Sequence, residues 1–200
     1  MFVTFDLLLA LIAFAFVSSI SPGPNNLMLM SSGAVFGFKR TIPHMLGVGL
    51  GFTFMIILVG IGLMKLFNNY PIMYQILKYL SISYLLYLAY KIATASKPDN
   101  NNTDKTKPIS FIQAAAFQWV NPKAWTMALT AISVYSPSQQ MESIIIVALV
   151  FGLVNLPSVS LWAVLGQQLS KILSSNSRLR AFNFTMAGLL LMSLYPVIYP

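Results

Sequence analysis

Ser21-Pro22-Gly23-Pro24-Asn25-Asn26 sits inside an apolar run that extends from about Leu7 to Phe36. Its two prolines remove two backbone donors and obstruct the helical ladder, and the glycine between them adds backbone freedom. The helix that this run would otherwise form must lose its regularity there. Asn25 and Asn26 bring two amides into the same oily stretch. Asp6 lies sixteen residues before Pro22 and Lys39 fifteen after Pro24, about 24 Å and about 22 Å at helical rise. These lengths place the break near the middle of a membrane span and not in a surface loop.

A second break has the same character. Trp119-Val120-Asn121-Pro122-Lys123-Ala124-Trp125 interrupts an apolar run from about Ile109 to Tyr135, and Pro122 stands one hundred positions after Pro22. Paired interruptions in corresponding parts of two halves point to a transport site. Irregular backbone at such a depth is tolerated only where protein or a water-filled cavity surrounds it. The alternative is a pair of proline kinks that serve packing alone.

The whole composition requires lipid as solvent. The chain has 200 residues, of which 57% are hydrophobic and 8% charged, against about 45–50% and about 25% in soluble domains. A soluble fold of this size could not hide so much apolar surface. Only helices or closed barrels satisfy the backbone in hydrocarbon. The apolar runs approach twenty residues and do not alternate, so they are helical. Six segments emerge, at about Leu7–Phe36, Ile42–Met64, Pro71–Ala93, Ile109–Tyr135, Ser143–Leu165 and Ala181–Tyr199. The first lysine is Lys39, so the first segment lacks the basic start of a cleaved signal peptide and reads as a retained helix.

Charge then orients the segments. Nine of the twelve cations fall in the odd-numbered connections: Lys39 and Arg40, then Lys91, Lys97, Lys105 and Lys107, then Lys171, Arg178 and Arg180. Lys65 alone falls in an even-numbered one, and Lys78 and Lys123 lie within segments. The positive-inside rule puts both termini on the periplasmic side. It also accounts for the net charge of +8 without nucleic acid as a partner. Tyr70, Tyr74, Tyr135, Tyr195 and Tyr199 fall near outer segment ends, as an aromatic belt would. The one long polar run, Lys97 to Lys107, reads as a cytoplasmic linker between residues 1–96 and 108–200. Each half holds three segments, an odd number, so halves of like fold must lie inverted with respect to one another.

Lys123 is the sharpest single residue. Helical rise leaves it about 24 Å from Lys107 and about 20 Å from Ser136, too far to snorkel. A central ammonium costs at least about 2.5–3.5 kcal/mol. A hydrated cavity or an anion would relieve that, and the four carboxylates, Asp6, Asp99, Asp104 and Glu142, all lie toward the surfaces. A substrate carboxylate would serve, bound by Lys123 and the half-helix ends around Pro22, Gly23, Pro24, Asn25 and Asn26. The alternative is an ammonium bonded to backbone carbonyls at a break. Gly47, Gly49 and Gly51, followed by Gly60 and Gly62, form a small-residue face that reads first as close helix packing and second as a sliding surface. Gly152, Asn155 and Pro157 occupy the same neighbourhood of the second half, with Asn155 either at the site or in a helix–helix hydrogen bond. His44, the only histidine, reads as interfacial, with a proton relay as the other reading. With no cysteine, disulfides and thiolate metal sites are excluded; no metal or cofactor is expected.

The run Ser21-Pro22-Gly23-Pro24-Asn25-Asn26, then Gly37-Phe38-Lys39-Arg40, then Gly47 to Gly51, with Asn121-Pro122-Lys123 in the second half, resembles the LysE/RhtB family of amino-acid exporters. The resemblance covers essentially the whole chain. Lys91-Ile92-Ala93-Thr94-Ala95-Ser96 and Lys107-Pro108-Ile109-Ser110-Phe111 are most similar to the cysteine/O-acetylserine subtype, with the homoserine/threonine exporters close by. The family resemblance implies efflux of neutral or basic amino acids across a bacterial inner membrane, powered by the proton gradient. Pro22, Gly23, Pro24, Asn121, Pro122 and Lys123 carry over as motif positions without assigned contacts. No Asp or Glu lies centrally to carry a coupling proton; Lys123 or the substrate itself could do so, and homo-oligomerisation stays open. Two rivals remain. An intramembrane enzyme would need a Ser–Lys dyad: Ser133 is about 15 Å from Lys123 along one helix, and only Ser21, across the two breaks, is geometrically open. A non-transporting assembly subunit would explain the glycines and neither break.

Overall fold

A computed structural model describes residues 5–63, 69–70, 72–96, 107–136, 140–173 and 175–195, and the side chain of Tyr74 is not among the atoms described. Among the described residues the chain is all α-helical. Eight helices follow in order: α1 Phe5–Ile20, α2 Pro24–Phe36, α3 Phe38–Leu58, α4 Ile72–Ala93, α5 Phe111–Gln118, α6 Pro122–Tyr135, α7 Met141–Leu169 and α8 Asn176–Met192. A π-helical turn, Val59–Leu63, extends α3.

Both breaks are where the prolines require them. α1 stops at Ile20 and α2 restarts with Pro24 in its first turn, where a missing N–H costs nothing, and the two axes bend by 56°. α5 stops at Gln118 and α6 restarts at Pro122, capped by Asn121. The first and fourth apolar segments are therefore each two helices. Pro43 and Pro157, by contrast, stay inside α3 and α7.

Several boundaries differ from the hydropathy reading. α3 begins at Phe38 and α8 at Asn176, so Lys39, Arg40, Arg178 and Arg180 belong to the starts of helices and not to loops. Gly37, at φ 78°, makes the single-residue turn from α2 to α3, and Ser175 caps α8 by accepting from Arg178 N. Such local chemistry starts a helix where apolar periodicity does not. Lys65, Pro71, Tyr199 and residues 97–106 of the expected linker lie outside the described residues.

The outside of the molecule is oily and the inside holds its amides. Leu153, Phe5 and Ile112 are 76%, 73% and 70% exposed, whereas Gln118, Asn121, Asn26 and Asn183 are buried. A water-soluble fold has the reverse distribution. α3 with its π turn (26 residues) and α7 (29 residues) are each long and apolar enough to cross a membrane, and the bent α1–α2 pair makes a third candidate span. α4, rich in Tyr, Ser and Lys, and the 17-residue α8 do not reach that measure. Two apolar cores fill the interior, one around Phe117, Leu85, Leu88 and Leu190, the other around Phe151, Met55 and Ala128. The two breaks lie between them, since Phe117 belongs to the first and Ala124 to the second.

Glycine sets the closest approaches. A Cβ on Gly33 would strike the Ala163 carbonyl, and one on Gly166 the Met30 carbonyl, so α2 and α7 meet backbone to backbone. Gly47 and Gly51 do the same for α3 against Phe111 and Ala115 of α5. The packing reading of the helix α3 glycines is thus the one with contacts behind it.

His44 is not interfacial in exposure. It is fully buried, and neither ring nitrogen has a hydrogen-bond partner among the described residues. Burying an unpaired polar group costs about 1–3 kcal/mol. His44→Leu, of similar volume, is therefore expected to raise the thermal midpoint in detergent while leaving export unchanged. A drop in midpoint would show that the imidazole has a partner; lost export would put it on a proton path.

Candidate functional site

The two breaks come together. Lys123 Nζ, from the first turn of α6, donates to Ser21 O at 2.7 Å, Ser21 Oγ at 2.8 Å and Pro22 O at 3.3 Å. Of the two readings of this ammonium, the bond to backbone carbonyls at a break is the one with contacts behind it. A helix C-terminus leaves its last carbonyls without intrahelical partners and carries the negative end of the helix dipole. The break at Pro22 creates such an end inside the protein, and Lys123 sits on it.

Every one of those carbonyls can be followed to a donor. Val17 O takes Ser21 N, Ser18 O takes Ser21 Oγ, and Ser19 O takes Asn26 Nδ2. Ile20 O takes the indole N–H of Trp162 on α7. Ser21 O takes both Asn26 Nδ2 and Lys123 Nζ. Gly23 is the residue that allows the lysine to lie there: a Cβ on it would stand 2.7 Å from Lys123 Cδ and 3.1 Å from Nζ.

Amides tie the two breaks directly. Asn25 Nδ2 donates to Gln118 Oε1 at 2.9 Å, and Gln118 Nε2 donates back to Asn25 Oδ1 at 3.2 Å and to Ala114 O at 2.8 Å. Asn155 of α7 donates to Ser19 Oγ at 3.0 Å, while its Oδ1 is buried without a partner among the described residues. Asn121 Oδ1 accepts from Lys123 N, its own helix's first turn.

A small cavity opens among these groups. Gly23, Asn25, Asn26, Asn121, Lys123 and Asn155 line it, so six of the nine residues singled out by sequence converge. Pro22, Pro24 and Pro122 do not line it; they shape the breaks, with Pro22 lending a carbonyl and the other two opening α2 and α6. Ser18, Ser19 and Gln118 line it as well and were not foreseen. Its free space is about 20 Å³, room for a water or so and not for an amino acid. α2, whose N-terminus faces this space, has no side-chain cap.

The Ser21–Lys123 contact does not make a catalytic dyad. A nucleophilic serine must give its proton to the lysine nitrogen. Here Ser21 Oγ donates to Ser18 O and accepts from Lys123, whose nitrogen is occupied as a donor to carbonyls.

The family model described as LysE type translocator matches residues 16–194. The chain belongs to the LysE family. LysE-type translocators are membrane proteins that move a solute, so the chain is a transporter and not an enzyme. It is 29% identical to a cysteine/O-acetylserine efflux protein of Salmonella typhimurium over 162 residues, 80% of this chain and 82% of that one. It is 28% identical to the cysteine/O-acetylserine efflux protein of Escherichia coli O157:H7 over 195 residues, 96% of this chain and 98% of that one. No solved structure matches. Within the LysE frame, both breaks, Lys123 and Asn155 fall inside the matched residues.

Proposed function

We propose that this LysE-family chain exports small neutral amino acids of the cysteine/O-acetylserine type, driven by the proton gradient, with the homoserine/threonine type as the nearest variant. The observation that carries the reading is the meeting of the two breaks around Lys123. A zwitterion needs a cation for its carboxylate and acceptors for its ammonium. Lys123 and the N-terminus of α2, which has no side-chain cap, supply the first, and Asn155 Oδ1, without a partner among the described residues, supplies an acceptor for the second. The relatives from Salmonella typhimurium and Escherichia coli are cysteine/O-acetylserine efflux proteins, which supports the substrate class.

The fold reading behind this is six spans in a bacterial inner membrane, with both termini periplasmic and two inverted three-span halves. In that arrangement α1 corresponds to α5, α2 to α6, α3 to α7 and α4 to α8. The packing of α3 on α5 then matches that of α7 on α1, and α4 packs on its own counterpart α8. The narrow cavity is a closed state: substrate takes the ammonium that Ser21 and Pro22 hold, and exchange of these partners opens the site to one side.

The test is flux. Chain reconstituted so that its cytoplasmic face is outward should accumulate labelled cysteine and O-acetylserine when a proton gradient is imposed, and less threonine or homoserine. Absence of protein-dependent movement for all four would end the export reading.

A further inference from the structure

The cavity at the breaks has an apolar side that the head-group chemistry does not use. Phe52 from α3, Ala124 and Met127 from α6 and Val159 from α7 line it alongside the polar groups. Phe52, Ala124 and Met127 belong to one apolar core and Val159 to the other. The first three adjoin Lys123. Ala124 follows it directly, and Met127 stands one turn beyond on the same face of α6, about 6 Å along the axis. Side chains on a helix lean toward its N-terminus, so Met127 leans toward the turn that carries the ammonium.

These apolar residues differ in how far they can yield. Ala124 has no rotamer to change. Val159 is β-branched, and one rotamer dominates in a helix. Phe52 is held edge-on by Phe151 at 5.5 Å between ring centroids, and Phe151 by Phe14 at 5.9 Å. Met127, 9% exposed, is unbranched and can change its shape about several bonds. The free space of the cavity is about 20 Å³, so a substrate side chain enters only where its lining gives way. Met127 is the apolar residue that can. An α-amino acid held by its carboxylate at Lys123 and by its ammonium at Asn155 has the apolar wall left for its side chain.

We propose that Met127 determines which side chains this transporter accepts. A slim, unbranched side chain, such as the thiol of cysteine or the ester arm of O-acetylserine, displaces the thioether and lies against Phe52. A branched or aromatic side chain needs more width than Met127 can yield and meets residues that do not move. The inference rests on the export reading and adds to it a residue that chooses among substrates. Lys123 cannot make that choice, because the carboxylate it would hold is common to all α-amino acids.

Ratios between substrates test this. In the oriented vesicles described above, Met127→Ala should raise kcat/KM for leucine relative to O-acetylserine about tenfold, since one methylene in an apolar pocket discriminates by about 10- to 200-fold. Met127→Phe should act in the opposite sense and lower kcat/KM for O-acetylserine about tenfold more than for the smaller cysteine. Met127→Val, smaller than methionine and confined largely to one rotamer, carries the test if the alanine variant does not accumulate, with a gain for leucine in the same direction. A residue that only packs the core would change every substrate by the same factor. Ratios that stay at wild-type values in the variants, with normal wild-type flux, overturn the role of Met127 and leave the export reading standing. No wild-type flux for any amino acid removes the export reading, and this inference with it.

Discussion

Lys123→Met should cut export about 10- to 100-fold while the protein still folds. The size follows from one lost charge-assisted hydrogen bond to the substrate, about 1.5–3 kcal/mol, at about 1.4 kcal/mol per factor of ten. The effect on stability is smaller because the carbonyls have other donors. Ser21 O keeps Asn26 Nδ2, and only Pro22 O loses its side-chain donor. Removing an interior ammonium also removes its own desolvation cost. A thermal midpoint close to wild type with lost flux is the expected pair of results. Lys123→Arg should recover little, because the planar guanidinium is larger and Gly23 leaves space only for a slim chain. Wild-type flux in Lys123→Met would show that the ammonium only caps α1, and the substrate carboxylate would then have to be bound elsewhere.

The same residue shows how much was legible beforehand. Proline spacing located both breaks, because ring sterics and the missing donor are local properties. Their meeting in space is what matching positions in two like halves would give. The lysine's partners were legible only as one of two alternatives: with no carboxylate near, either a substrate anion or the backbone carbonyls at a break could hold the ammonium, and no local pattern chooses between them. A break supplies its own counter-charge: the carbonyls that the proline frees are acceptors wherever the chain stops being a helix. Gln118 and Ser19 escaped for a different reason. Neither stands out in the sequence, and the significance of each lies in a partner ninety-three or one hundred and thirty-six positions away. Helix starts at Phe38 and Asn176 were missed because basic residues in a first turn look like loop to a hydropathy scan, although Ser175 carries a capping signal.

Gly166→Val should prevent the protein from accumulating in folded form. Its Cβ would fall on the Met30 carbonyl, and Gly33 meets Ala163 in the same way one step along the seam. Flexible side chains can yield to an added methyl group, but here backbone faces backbone on both sides. Overpacking of this kind costs about 1–3 kcal/mol, and more where nothing can give, against a total stability of about 5–15 kcal/mol. Gly188→Ala is the control: nothing stands within 4 Å of its Cβ position, and alanine is favoured over glycine in a helix by about 0.8–1.0 kcal/mol. Fluorescence-detected size exclusion should show a monodisperse peak for Gly188→Ala and none for Gly166→Val; a folded Gly166→Val would mean that the seam can part. The seam also constrains the transport cycle. α2 carries Asn25 and Asn26, and α7 carries Asn155, so a backbone-locked pair keeps these three amides in fixed relation. The α3–α5 seam, closed by Gly47 and Gly51, is equally stiff. α6 packs less extensively on its neighbours and presents Lys123 to the break. Opening of the site is therefore expected at α6 and the end of α1, which the hydrogen bonds of Lys123, Asn155 and Trp162, and not interlocked backbone, hold in place.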